Sequence, residues 1–264
     1  MKLRTCLEIT GMLSATSKKF DTFTEAVLAW RDIPEVHTEI FKAFYDNVQN
    51  DPELKYHRDI VEQWEFGYGE RSFQWLWNLV AQELPHGFRF LEIGVYQGQV
   101  LSLMSLLNKR YEKHGLIVGL TPLEPADDAF SKHHDVDYEE RIKILYGINR
   151  LDAADLLLIV GYSDREREIE LARKEGPYHC IYIDGNHNYD VVVKDIKNYG
   201  PMVAPRGLLV MDDSANYLDI PDGLISSNWK GIIDVSNAVR DTLENDLQFE
   251  HIFSVGHIRV WRKK

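Results

Sequence analysis

The chain is poor in cysteine. Its 264 residues hold two, Cys6 and Cys180. No C-x-x-C or Cys/His spacing accompanies them, which excludes a disulfide-stapled scaffold and a zinc finger. Cys180 falls in an apolar run and reads as a buried thiol in a reducing compartment. Positive charge is also scarce: 30 Lys and Arg stand against 42 Asp and Glu, a net charge of −12. Such a surface repels phosphate backbones, so nucleic acid is not an expected partner. No apolar run approaches the ~18 residues of a membrane span. Met1–Thr10 lacks an apolar core of leader length. The expectation is a soluble, cytoplasmic protein with no membrane partner. Internal repeats and low-complexity tracts are absent, as is the G-x-G-x-x-G of nicotinamide dinucleotide proteins.

What is there suits a sizeable core. Apolar residues make up 44% and charged residues 27% of the chain, an ordinary globular mix for one α/β domain with an added segment. The first part reads as helical. Thr22-x-x-Glu25 is a capping box that opens a helix to about Trp30. Pro34 suits the first turn of a second helix, to about Val48. Asp51-Pro52 repeats the cap-then-proline signature before a third, to about Glu65. A fourth runs from Glu70 to Leu84. Residues 1–65 are expected to form a helical extension, a candidate lid, ahead of a domain over 66–264.

From Gly87 the period changes. Short apolar strands are expected at Arg89–Ile93, Leu116–Leu120, Leu156–Val160, His179–Ile183 and Leu208–Met211. Helices are expected between them at Gln99–His114, Arg165–Glu175 and Tyr189–Tyr199, with another at Val235–Asn245. Strands without polar alternation predict a parallel sheet covered on both faces. Phe249–Ser254 and His257–Arg262 flank a tight Gly turn and predict a closing antiparallel hairpin. The fold class is α/β, a mostly parallel sheet with a C-terminal hairpin and an N-terminal helical extension.

Glu92-x-Gly94-x-x-x-Gly98 follows the first strand and opens a helix. Gly94 permits a sharp turn and Gly98 a close backbone approach to a ligand. This spacing resembles the first motif of class I methyltransferases, which use S-adenosylmethionine (SAM) on a Rossmann-like sheet. The resemblance implies SAM as cofactor, held by Glu92, Gly94, Val95, Tyr96 and Gly98. Thr121, Ser163, Asp164 and Asp184, at the ends of later strands, would complete its site. In that family an acid at the end of the second strand binds the ribose. Here Thr121 stands there, and Glu124 is the alternative.

Downstream, Asp184-Gly-Asn-His187 ends the fourth strand and Asp212-Asp213 the fifth. Open α/β sheets bind ligands at the carboxyl ends of their strands, so these carboxylates should converge beside the glycine loop. Grouped anions need a cation. A hard divalent ion, Mg²⁺ first, fits Asp184, Asp212 and Asp213 as oxygen ligands. Each acid also has a plainer reading, Asp184 as a cap for the helix from Tyr189 and the pair as caps of local turns.

The arrangement resembles the metal-dependent O-methyltransferases of the catechol and caffeoyl-CoA type. It is still more similar to the enzymes that methylate the sugars of macrocin and mycinamicin. Trp229-Lys-Gly231 is similar to their segment after the fifth strand. In the catechol type a lysine acts three residues after the first Asp. His187 holds that position and is the expected general base. Asn186, where the sugar enzymes have theirs, cannot accept a proton. The resemblance covers residues 66–264. It implies methylation of a small-molecule hydroxyl: a sugar, a polyketide or a phenol. A metal-independent methyltransferase and a non-catalytic SAM-binding module stay open, as does homo-oligomerisation.

Overall fold

The sheet grows from the strand–helix alternation that begins at residue 89. Its strands are β1 (Arg89–Ile93), β2 (Leu116–Thr121), β3 (Leu156–Val160), β4 (Tyr178–Ile183), β5 (Val203–Met211), β6 (Phe249–Val255) and β7 (Ile258–Lys263). The computed structural model describes residues 19–131 and 135–264; Met1–Thr10 and Cys6 lie outside them. The strand order is β3-β2-β1-β4-β5-β7-β6. β1 to β5 pair in parallel, and β7 runs antiparallel to both β5 and β6. The chain builds outward from β1 to β3, then crosses to β4 on the other side of β1. That reversal opens a crevice at the carboxyl ends of β1 and β4.

Both predicted side-chain caps in the N-terminal part form. In α1 (Phe23–Ala29) the Thr22 hydroxyl accepts from the Glu25 N–H at 3.2 Å while the Glu25 carboxylate accepts from the Thr22 N–H at 3.0 Å. Asp51 caps α3 (Pro52–Gln63) by accepting from the Glu53 and Leu54 N–H groups. Between them lies α2 (Pro34–Asn50), and α4 (Ser72–Glu83) follows. Next come α5 (Gln99–Arg110), α6 (Tyr138–Ile148), α7 (Glu166–Glu175), α8 (Tyr189–Tyr199) and α9 (Ile233–Thr242). α5 ends earlier than its periodicity suggests. Glu112 and His114 take left-handed backbone at φ 50° and 53°. The Asn108 side chain bonds Gly115 on both sides, donating to its carbonyl and accepting from its N–H. β5 begins five residues earlier than expected, because Val203–Arg206 continue the strand after an irregular register beside Tyr178.

Alternate strand residues point to opposite faces. Phe90, Cys180, Tyr182, Leu208 and Val210 face the cluster built by α1, α2, α4 and α5, with buried residues from Phe20 to Leu107. Trp77 of α4 packs edge-on to Phe90 at 5.8 Å and to Tyr182 at 4.8 Å. Phe23 of α1 meets Phe253 of β6 at 5.3 Å. Leu91, Ile93, Ile181, Ile183 and Leu209 face the second cluster, with α7, α8 and α9. His57 of α3 is wholly buried, and burial pushes it down to about 3. It meets the Ser102 hydroxyl of α5 at 2.9 Å and so pins α3 behind the glycine loop as a neutral imidazole. Cys180 is buried as expected, which pushes its thiol up. Among the described residues no helix is long and apolar enough to cross a membrane.

Candidate active site

The glycine loop leaves β1 where β4 passes. Gly94 sits at φ +88°, and a Cβ there would lie 2.0 Å from the Asp184 carbonyl oxygen. The Asp184 N–H donates to the Ile93 carbonyl at 2.8 Å, so the two strand ends are zipped at this point. Gly94→Ala therefore meets backbone that cannot yield. It is expected to cost roughly 2–4 kcal/mol of stability, from strained φ plus overpacking, and to abolish SAM binding; urea unfolding and calorimetry check both. Gly98 also has left-handed backbone, at φ +85°, and starts α5. A Cβ there would lie 3.0 Å from the Ile142 side chain of α6. Glu92 is 2% exposed, and its Oε2 has no partner. Burial pushes its carboxyl well up, the Asp212 charge adds to this, and a hydrogen bond from the Leu101 backbone opposes it. The acid thus reaches the first turn of α5 from inside the sheet.

Val95 is buried. Tyr96 has left-handed backbone, φ 48°, and its ring lies 5.6 Å from Tyr68 and 5.5 Å from Tyr138. The loop before α4 is held over Tyr96 by Arg58, whose guanidinium donates to the carbonyls of Tyr68 and Gly69. At the end of β2, the Thr121 hydroxyl is buried and accepts from the Leu123 N–H at 3.1 Å. Glu124 is exposed and accepts from the Tyr162 hydroxyl. Ser163 accepts at its carbonyl from Tyr199, and Asp164 sits 3.6 Å from Lys194 and 3.7 Å from Arg165. These positions ring the same sheet edge, on the β2–β3 side of the glycine loop.

The acids of β4 and β5 do meet. The Tyr182 hydroxyl lies 3.1 Å from Asp184 Oδ2 and 2.9 Å from Asp212 Oδ2. One hydroxyl proton satisfies both contacts only when one carboxyl carries a proton of its own. Asp184 is the better holder. Burial pushes it well above the usual carboxylate range, and the charges of Asp212, Asp213 and Glu92 push further. Burial and Asp212 raise Asp213 too, against His257, Trp229 and His187. Asp213 adopts left-handed backbone at φ 47°, uncommon outside glycine. Its Oδ1 accepts from Trp229 Nε1 at 2.6 Å, and its carbonyl abuts Gly231, which has no room for a Cβ. Asp184 does not cap α8, whose N-cap is Asn188 without a side-chain bond.

His187 lies between two carboxylates. Its Nδ1 is 3.0 Å from Asp128 Oδ2, and its Nε2 is 3.6 Å from Asp213 Oδ2. The Asp128 side chain is fully buried and also accepts from the His187, Phe130 and Ser131 N–H groups and from the Ser131 hydroxyl. Burial alone would raise this carboxyl, but the Ser131 backbone, His187 and Phe130 outweigh it and hold it below its usual range. With Nδ1–H donating to Asp128, the Nε2 lone pair faces the Asp213 side. Phe130 stands 6.1 Å from the His187 ring and 6.2 Å from Trp229, both contacts edge-on, forming an aromatic wall beside the acids.

Sequence reasoning missed two residues here. Asp128 lies in the irregular segment after β2, where no periodicity singles out a position. His257 reads as the first residue of the last strand, yet it occupies the β6–β7 turn. Its Nε2 is 3.4 Å from Asp212 Oδ1 and 3.8 Å from Asp213 Oδ1. The available signal was topological: a hairpin antiparallel to β5 brings its turn to the carboxyl end of β5. Asp212, Asp213 and His257 each offer an atom within 4.8 Å of the others. Asp184 touches this group through Tyr182.

This strand order, with a glycine loop after β1 and acids ending β4 and β5, is the arrangement expected from the resemblance to class I SAM-dependent methyltransferases. Residues 91–214 match the family model described as "Methyltransferase domain". Two solved structures share the fold. An O-methyltransferase from Bacillus cereus in complex with SAH has a TM-score of 0.55 at 14% identity, over 86% of this chain and 100% of that one. TomG from Streptomyces achromogenes, an O-methyltransferase of tomaymycin synthesis in complex with SAM, has a TM-score of 0.51 at 14% identity, over 81% and 90%. MycE of the mycinamycin pathway, in complex with Mg and SAH, has a TM-score of 0.49 at 19% identity, over 81% and 55%. The chain spans 44% to 55% of the length of the MycE chains it matches. Comparison with curated protein sequences finds no match.

Proposed function

We propose that the protein transfers a methyl group from SAM to a hydroxyl of a small molecule, with a divalent cation at Asp212 and Asp213 and His187 as general base. The observation that carries this reading is the meeting of Asp213 and His187 at the strand ends beside the Gly94 turn. The residues fit both groups. For SAM there is the turn at Gly94, with the unpartnered Glu92 oxygen behind it. For the cation there are clustered carboxylates whose burial and mutual repulsion already hold Asp184 and Asp213 high. Mg²⁺ is the ion that the sequence pattern suggests, with Asp184 joining through its contact with Tyr182. When bound, SAM supplies an electrophilic methyl and the cation makes a negative acceptor oxygen less unfavourable.

The chain's own side chains do the rest. His187 Nε2 takes the acceptor proton, and Asp128 holds the ring in the tautomer that can do so. Phe130 and Trp229 offer ring faces against which an acceptor is oriented, and the Tyr68–Tyr96 side limits water. Orientation of this kind supplies at most about 7–11 kcal/mol.

The test uses tritiated SAM with a panel of catechols and glycosides. Transfer is expected to fall roughly 100-fold or more with EDTA and to recover with added divalent cation, consistent with a cation effect of several kcal/mol. Transfer indifferent to EDTA refutes the cation's role. Absence of SAM and SAH binding by calorimetry refutes the enzyme.

A further inference from the structure

We infer that His257 is a metal ligand, so that Asp212, Asp213 and His257 form a mixed oxygen–nitrogen site favouring Mn²⁺ and other imidazole-accepting divalent ions over Mg²⁺. This rests on the cation site proposed above and decides which ion fills it.

The imidazole is delivered, not incidental. Its side chain is 8% exposed although it stands in a turn. The Ser214 N–H donates to the His257 carbonyl at 3.0 Å, tying the turn to the loop after β5. Phe73 of α4 lies edge-on to the ring at 4.8 Å and also crowds Gly256, where a Cβ would sit 3.0 Å from it. The ring packs against Phe73 with its Nε2 toward the two acids.

The spacing suits ligands sharing an ion. At 3.4 and 3.8 Å, Nε2 is too far from Asp212 Oδ1 and Asp213 Oδ1 for good hydrogen bonds. Metal–ligand bonds of about 2.0–2.2 Å separate neighbouring donors by roughly 3–3.6 Å, a range that the 3.4 Å contact meets and the 3.8 Å contact slightly exceeds. Trp229 holds Asp213 Oδ1 on the same side, and His187 approaches the other oxygen, Oδ2. The buried Nδ1 of His257 has no protein partner, which leaves Nε2 as the atom that acts. Mg²⁺ demands oxygen ligands in near-ideal octahedral array. A nitrogen donor shifts selection toward the first-row transition ions.

The experiment adds Mn²⁺ to the metal-free protein and reads electron spin-echo modulation and binding. Bound Mn²⁺ is expected to show ¹⁴N coupling, which persists in His187→Gln and disappears in His257→Gln. The Mn²⁺ over Mg²⁺ affinity ratio should fall roughly tenfold or more in His257→Gln, since even outer-shell partners of a metal are worth 10–100-fold. The wild-type spectrum needs no variant, so misfolding of a variant leaves the test intact. Mn²⁺ bound without ¹⁴N coupling, or with coupling lost only in His187→Gln, overturns the inference while keeping an oxygen-ligated site. No Mn²⁺ binding at all overturns the cation reading itself.

Discussion

Exchanging Asp212 and Asp213 together for asparagine is expected to slow methyl transfer by roughly 1,000-fold or more, because the several kcal/mol a cation contributes are lost at ~1.4 kcal/mol per tenfold. Asparagine keeps the size of each side chain and tolerates the left-handed backbone of Asp213. It removes both negative donors. SAM affinity should change little, because the glycine loop is built by Glu92, Gly94 and the Asp184 backbone. Stability without added cation should hold or rise. Asp213 is buried beside Asp212, and Asp184 is raised by both, so the substitution relieves repulsion. The cation-induced rise in melting temperature should disappear. This pattern separates loss of the site from loss of the fold: turnover collapses while the metal-free protein melts no earlier. Wild-type turnover in the double variant sinks the cation's role. Loss of turnover together with SAM binding would point to damage at the glycine loop instead.

The sheet was legible because its central strands are buried on both faces, and α1 and α3 because they carry their own caps. Thr22, Glu25 and Asp51 act locally, and local hydrogen bonds can be read from spacing. The sharp turn at Gly94 was legible in the same way, from a strand, a glycine and a helix in sequence. At Gly98 the left-handed backbone and the packing of Ile142, from a helix distant in sequence, were not legible in the spacing. The convergence of Asp184, Asp212 and Asp213 followed from topology alone. Asp128 and His257 did not emerge, because each acts through a partner far along the chain. His187 reaches Asp128 across 59 residues, and no period or motif marks such a pair. Asp213's backbone and its bond from Trp229 belong to the same class. They arise from packing of the Gly231 segment against the β5 end, which sequence spacing does not encode.

Asp195→Asn is expected to stabilise the protein more at pH 8 than at pH 5, by about 3 kcal/mol between the two, at 1.36 kcal/mol per pH unit. Asp195 lies on α8 and is 0% exposed. No well-formed hydrogen bond reaches either carboxyl oxygen. Burial raises it from 3.8 to about 7, Asp164 adds to the rise, and Ser163 and Lys194 oppose it. Its Oδ2 lies 3.9 Å from where a Gly185 Cβ would be, directly under the Asp184–His187 loop. Between pH 4 and 7 the folded protein therefore keeps a proton that the unfolded chain releases. Stability falls as pH rises through that window and is level above it. Asparagine is neutral in both states and lacks that slope. The difference between pH 5 and pH 8 cancels whatever constant penalty the buried amide brings, and it cancels every other titrating group that does not couple to this site. Urea unfolding of both proteins at the two pH values measures it. An equal effect at pH 5 and pH 8 would show that Asp195 is ionised inside the fold, and Lys194 would then have to supply its compensation. With Asp195 raised to about 7, the loop bearing His187 rests on a mostly uncharged carboxyl below pH 7.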